Sequence, residues 1–278
     1  MQTMLYMLSE QKHRQIMSYV LRTREGKLVV IDGGNTAEAE NLQEKLIELG
    51  GPEPVVDLWL LTHPHDDHIH ALLEIFSKPN PLKVKAVYSR FLPYEFYKEH
   101  DFAGSDNARF TMEFNRFRDG HPDICHSFEQ GQHLYAGSAE FTVLRVPDER
   151  FCMNVINNSS VVFRLDVEGQ RILFVGDLGE EAGDDVLACV PSEELRADFV
   201  QMAHHGQSGV KKSFYEAVQP KACLWNTPDW LWNNDRGGGY NTGPWKTVET
   251  REWVKELGIR HHFVTKDGEQ AIPLPYPL

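Results

Sequence analysis

Four apolar runs in this chain each stop on a residue type that binds metal ions, so the fold must gather strand ends at one place. The densest case is "THPHDDHIHAL", Thr62 to Leu72, with four histidines and two aspartates in eleven positions directly after the apolar stretch from Val55 to Leu61. "RILFVGD" delivers Asp177, "DFVQMAHHG" delivers His204 and His205, and "KLVVIDGG" delivers Asp32. A buried strand that breaks on such a residue puts it in the loop at its carboxyl end, where α/β layers assemble their sites.

The surrounding pattern predicts two β-rich halves. In the first, strands are expected at Thr3 to Leu8, Ile16 to Arg22, Leu28 to Asp32 and Leu58 to Thr62. A helix capped at Asn35 or Thr36 carries Ala39, Leu42, Leu46 and Leu49 at helical spacing and stops at Gly50. The histidine cluster then sits on a tight loop before a short helix, Ala71 to Phe76, and a strand follows at Val84 to Tyr88. Aromatic residues from Tyr94 to Arg118 predict one or two helices packed across one face. The second half reads as strands at Gln132 to Tyr135, Glu140 to Val146, Val161 to Val167 and Arg171 to Val175, with a hairpin turn at Asp166 to Gln170. Beyond Asp177 the pattern gives a helix near Ser192 to Arg196, a strand at Phe199 to Met202, a helix near Phe214 to Val218 and a strand at Ala222 to Asn226. A Trp/Gly/Asn-rich loop from Thr227 to Gly243, a helix between Pro244 and Gly258 and a final strand at His262 to Thr265 complete it. With no repeat or linker, residues 1–278 read as one domain of the α/β class, a four-layer α/β/β/α sandwich of two mixed sheets.

Composition narrows the function. Lys and Arg number 28 against 41 Asp and Glu, a formal charge of -13, which opposes undirected binding of long nucleic acid and favours a small-molecule substrate. The four cysteines are scattered without a C-x-x-C pair, the first residues carry no basic segment followed by an apolar one, and no run approaches membrane-spanning length. These features predict a cytoplasmic protein without membrane attachment and set no oligomeric state.

His63, His65, Asp67 and His68 form H-x-H-x-D-H, whose imidazole and carboxylate donors suit Zn²⁺, Fe²⁺ or Mn²⁺. His63 and His65 can point one way while Asp67 and His68 serve an adjacent position, which implies two divalent cations. Asp177, His204 and His205 are the candidate partners from later strand ends, and Asp32 is expected to orient a ligand imidazole or the His63 loop. His261 and His262, and the tryptophans of the C-terminal half, read as packing or surface residues.

"VVIDGG", "LLTHPHDDHIHAL", "NNSSVVFRLDVEGQRILFVGDL" and "DFVQMAHHGQSG", in this order, resemble the metallo-β-lactamase fold superfamily, in style nearest the hydrolase domain of ComEC and its soluble relatives. The resemblance implies that His63 and His65 hold a first metal, that Asp67, His68 and His205 hold a second, and that Asp177 bridges them, with His205 favoured over His204. It implies zinc as the metal, with manganese or iron as alternatives. Where most superfamily hydrolases have another histidine, this chain has Asn157 and Asn158, either of which could supply a carbonyl oxygen. In the glycine-rich loop, Tyr240 and Asn241 stand where nuclease-like relatives tend to carry histidine, and Tyr240 is a candidate contact for a leaving group. The expected activity is hydrolysis by a metal-bound hydroxide, with Asp67 and Asp177 as catalytic carboxylates. The substrate is expected to be a phosphodiester or phosphate ester of a small or nucleotide-like molecule. Cleavage of a lactam, lactone or thioester, iron-dependent redox chemistry, and a non-catalytic scaffold are the alternatives.

Overall fold

A computed structural model describes residues 1–102 and 104–278; Ala103, within the predicted aromatic segment, lies outside the described residues. The first sheet is built from β1 (Thr3–Met7), β2 (Ser18–Arg22), β3 (Leu28–Asp32), β4 (Val55–Leu60), β5 (Lys83–Val84), β6 (Val87–Ser89) and β7 (Cys125–Ser127). The second contains β8 (His133–Ala136), β9 (Ala139–Arg145), β10 (Val162–Val167), β11 (Gln170–Phe174), β12 (Phe199–Gln201), β13 (Ala222–Trp225) and β14 (His261–Val264), and the chain then returns to the first sheet as β15 (Gln270–Leu274). Strand order is β15-β1-β2-β3-β4-β6-β7 in one sheet, with β5 beside β4, and β14-β13-β12-β11-β10-β9-β8 in the other. Both are mixed: β1 to β3 pair antiparallel and β3, β4 and β6 parallel, while β8 to β11 pair antiparallel and β11 to β14 parallel.

The layers follow from the two-residue period of the strands. In β3, Val29 and Ile31 enter the core between the sheets, whereas Leu28 and Val30 face the helices. In β11, Ile172 and Phe174 face the same inter-sheet core and Leu173 faces the opposite helical layer. Because both faces of these strands are buried, their sequences are continuous apolar runs rather than alternating ones. Tyr19 of one sheet meets Phe174 of the other edge to face, with centroids 5.1 Å apart. Helices Ala39–Gly50, Asp66–Phe76 and Arg109–Gly120 cover the first sheet, and Glu180–Cys189, Lys212–Val218 and Thr247–Glu256 cover the second. This is the four-layer sandwich expected from the sequence.

Several elements differ from the sequence expectation, among them the strand Cys125–Ser127 and the short helices Val155–Asn158 and Asp229–Trp232, and three more have a clear physical reason. The helix predicted from Ala71 begins at Asp66, so Asp67 and His68 lie in its first turn instead of on a loop. Asp66 and Asp67 there suit the positive end of the helix dipole. The helix Glu180–Cys189 was not expected, because its acidic "EEAGDD" opening and internal Gly183 mask the apolar face. That glycine serves packing: a Cβ on it would lie 2.7 Å from Val210 Cγ1. Strand β15 was also missed, since Pro273 weakens a strand signal, yet it occupies the sheet edge, where a proline is tolerated. Among the described residues, no helix is long and apolar enough to cross a membrane.

Candidate metal centre

The carboxyl ends of β3, β4, β11 and β12 bring Asp32, His63, Asp177 and the His204–His205 turn to one edge of the sandwich, all four strands belonging to the parallel parts of their sheets. The Asp177 carboxylate is the hub. Its Oδ1 lies 3.3 Å from His68 Nε2, and its Oδ2 lies 3.5 Å from His205 Nε2 and 3.8 Å from both His63 Nε2 and His204 Nε2. Asp67 Oδ2 approaches His205 Nε2 at 3.2 Å, and His65 Nδ1 lies 3.0 Å from His63 Nε2. Two sets of potential ligand atoms result, His63, His68 and Asp177 in one and Asp67, His68 and His205 in the other, each with its atoms within 4.8 Å of one another.

The donor set fits cations. His68 Nε2, His205 Nε2 and both Asp177 oxygens are buried without a hydrogen-bond partner, a concentration of orphaned polar atoms that folded proteins avoid unless something else satisfies them. The opposite ring nitrogens are engaged: His68 Nδ1 lies 2.8 Å from Asp32 Oδ2 and His205 Nδ1 lies 2.9 Å from the Asn226 carbonyl. Each ring therefore has one nitrogen fixed by a neighbour and the other aimed inward, as ligand histidines require.

Asp32 is buried, and it accepts hydrogen bonds at Oδ1 from the Thr62 amide at 2.8 Å and at Oδ2 from the Thr62 hydroxyl at 2.9 Å. It thus ties the end of β4 to the His68 ring. The His204–His205 turn depends on Gly206, at φ +80, because a Cβ there would lie 2.5 Å from the Trp225 ring. The turn separates its two histidines. His205 is fully buried, whereas His204 keeps 18% of its side chain exposed and faces the opening.

Asn157 and Asn158 separate as well. Asn158 donates to the Met153 carbonyl and accepts from the Gly179 amide, while Asn157 Oδ1 is buried without a partner and is the oxygen of the pair left for a ligand role. Tyr240 and Asn241 do not line the opening: Tyr240 is 61% exposed and Asn241 Oδ1 accepts from Asn234. Their loop has φ-positive positions at Gly237, Gly239 and Asn241 and folds on itself through Asp235, whose Oδ1 accepts from the Gly237 and Gly239 amides.

The opening is a cleft of about 350 Å³. His65, Asp67 and His204 form its floor, and His13, Arg14, Asn107 and Trp230 stand among its walls. Gln15 Nε2 donates to Asp67 Oδ2 at 2.9 Å and receives at its own Oε1 a bond from Gln207, so the segment carrying His13 and Arg14 is tied to a candidate ligand. Sequence reasoning missed this wall. Its signal was the polar "SEQKHRQ" between β1 and β2, longer than a hairpin connection needs.

The buried carboxylates and imidazoles shift one another's protonation. Burial opposes charge on His68, but Asp177, Asp32 and Asp67 outweigh it and hold the ring well above the ordinary histidine value. Burial likewise opposes charge on His205, which Asp177 and Asp67 nevertheless push up to about 10. Burial also disfavours an ionised Asp177, yet His68, His205 and His204 keep its carboxyl well below the usual range. His63 moves the other way, lowered by burial and by the neighbouring His68 charge.

A signed expectation follows for chelator-treated protein. The ion pairs of His205 are fully present below its unfolded value of 6.5 and are lost as pH rises through about 10, so thermal stability falls across that window. Metal-loaded protein, whose imidazoles are already neutral, shows no such fall. Melting curves at stepped pH with and without chelator check this, and a flat profile for the chelated form contradicts it.

The sandwich and the His/Asp nest define a metallo-β-lactamase-fold protein. Residues 12–147 match the model of the metallo-beta-lactamase superfamily. It is 32% identical over 69 residues to ComE operon protein 3 of Bacillus subtilis (strain 168), a stretch that makes up 24% of this chain and only 9% of that protein. The metallo-beta-lactamase fold protein YhfI from Bacillus subtilis superposes with a TM-score of 0.54 at 12% identity, covering 96% of this chain and 98% of that one. CmlA, a diiron beta-hydroxylase from Streptomyces venezuelae, superposes with a TM-score of 0.58 at 14% identity, covering 98% of this chain and 54% of that one. At these identities the structural likeness establishes the fold alone.

Proposed function

We propose that this protein is a two-metal hydrolase of phosphodiesters or phosphate esters, acting on a small or nucleotide-like substrate. The observation that carries this reading is the placement of Arg14 and His13 on the cleft over the His/Asp nest in a chain of formal charge -13. Bound divalent cations supply Lewis acidity and bring water toward ionisation near neutral pH. His63, His65 and Asp177 would hold one cation, with Asn157 and His204 as further candidates, and Asp67, His68, His205 and Asp177 the other. Asp177, central to both groups, sets their spacing, and Gln15 fixes the direction of Asp67. Arg14 at the mouth offers a planar fork to an anionic substrate oxygen, while Trp230 offers a flat apolar wall for a ring. Zinc is the metal we favour, and the four free cysteines support a cytoplasmic setting.

Turnover of bis(p-nitrophenyl) phosphate, measured beside a lactam and a lactone with zinc, manganese and iron, tests the reading; absence of phosphodiester cleavage with every metal overturns it. Arg14→Ala is expected to raise KM for the phosphodiester about fivefold, in keeping with an exposed charge contact worth roughly 1 kcal/mol, and to leave kcat nearly unchanged. An equal rise in KM for an uncharged ester would remove Arg14 from anion recognition.

A further inference from the structure

We propose that a hollow beside β14, separate from the cleft, is a second binding site for a small diphosphate-bearing molecule. The hollow measures about 660 Å³ and lies between β14 and the helix Thr247–Glu256. Its lining includes Trp232, Arg251, Lys255, Arg260 and Lys266, and it shares no lining residue with the cleft. Four cations on one concavity are notable in a chain with 41 acidic residues to 28 basic ones. Many of the bases elsewhere meet acids, as in Arg150–Asp185, Arg164–Glu194 and Lys221–Asp198. Among the described residues Arg251 and Arg260 have no carboxylate partner. Asp267 is the carboxylate on the lining and is held by Lys266, while Lys255 meets Glu252 on the solvent side at 3.5 Å.

Arg251 is also held in position. Its guanidinium lies 4.2 Å from the centre of the Trp232 ring and Nη1 donates to the Trp232 carbonyl at 3.1 Å. A guanidinium fixed on an aromatic face, with its remaining N–H groups unengaged, is preorganised for paired phosphate oxygens. Lys266, paired with Asp267, approaches the same ring at 5.7 Å and adds a second cation beside the indole. Trp225 closes the inner end, and its Nε1 donates to His262 Nδ1 at 3.2 Å, which leaves an apolar wall at the back of a basic mouth. The volume suits a small ligand. The acidic remainder of the chain opposes an extended nucleic-acid strand.

Titration with ADP, and with inorganic pyrophosphate as the sugar-free probe, followed by tryptophan fluorescence and calorimetry, tests the proposal on both metal-loaded and chelator-treated protein. Saturable binding is expected in both states, weakening with ionic strength. The double variant Lys255→Glu/Arg260→Glu, both side chains exposed and so expected to leave the melting temperature in place, should weaken it by about tenfold or more, in line with reversal of two charges at one site. Arg251→Lys, which keeps the charge but loses the fork, should weaken ADP and pyrophosphate alike. Arg14→Ala should leave the chelator-treated titration in place. Binding that vanishes with the metals or with Arg14→Ala belongs to the cleft and overturns the proposal. So does absence of saturation, and so does tighter binding of a single-stranded oligonucleotide through the same residues, which would mark a nucleic-acid track.

Discussion

Asp177→Asn protein, purified without chelator, should carry at most one metal ion per chain in place of two and should hydrolyse a phosphodiester about a thousandfold more slowly, the equivalent of roughly 4 kcal/mol of lost transition-state stabilisation. The substitution keeps the volume of the side chain and leaves intact the hydrogen bond from the Asp177 amide to Ser160 Oγ, so the strand end stays in place. What changes is the group at the centre of four imidazoles. One carboxylate oxygen becomes an NH₂ that donates toward ring nitrogens whose lone pairs are meant to face a cation, and the negative charge that offsets two divalent ions disappears. Elemental analysis and turnover of the same preparation give both readouts. Metal content and activity like those of the parent protein would dismiss Asp177 as the bridge.

The parts of this site that could be read from the sequence are those in which one short segment carries the whole signal. An apolar strand ending in a ligand-type residue is local, and it located Asp32, His63, Asp177 and the His204–His205 pair without any knowledge of how the strands are ordered. The helix Ala39–Gly50 was equally legible, since Ala39, Leu42 and Leu46 are buried as their spacing requires, while Asn35 accepts from the Ala37 amide and caps the single 3-10 turn, Thr36–Glu38, that leads into it. Features created by contact between distant segments were not legible. Arg14 gains its position because Gln15 reaches Asp67, 52 residues away. Strand β15 exists because β1 offers an edge to it. Nothing in "GGGYN" discloses that Asp235 turns that loop back on itself. The choice between His204 and His205 likewise rests on a backbone turn: with φ of 50 and 55 at the two histidines, only one side chain is directed into the closed interior.

Asp32 offers the sharpest separation between holding the fold and holding the metal, because its two oxygens serve different partners. In Asp32→Ala, the Thr62 amide and hydroxyl and the His68 Nδ1 all lose their acceptor in a region closed to water, and a residue with an ordinary Cβ must occupy φ 56. At about 1–3 kcal/mol for each of the three buried groups left unsatisfied, with about another 1 kcal/mol for the left-handed backbone, the variant should lose at least about 4 kcal/mol and bind metal poorly. Asp32→Asn divides these effects. Asparagine tolerates the backbone and its single oxygen can still accept from the Thr62 amide, but its NH₂ then faces His68 Nδ1. That contact selects the tautomer with the proton on Nε2, the nitrogen directed at Asp177, and so removes the lone pair a cation needs. Chemical denaturation of chelated protein should therefore find Asp32→Asn much closer to the parent than Asp32→Ala is, while metal titration should find its affinity reduced about 10- to 100-fold. If Asp32→Asn bound metal as tightly as the parent, Asp32 would be a turn residue alone and the orientation of His68 would have to come from Thr62, whose hydroxyl lies 3.3 Å from the same nitrogen.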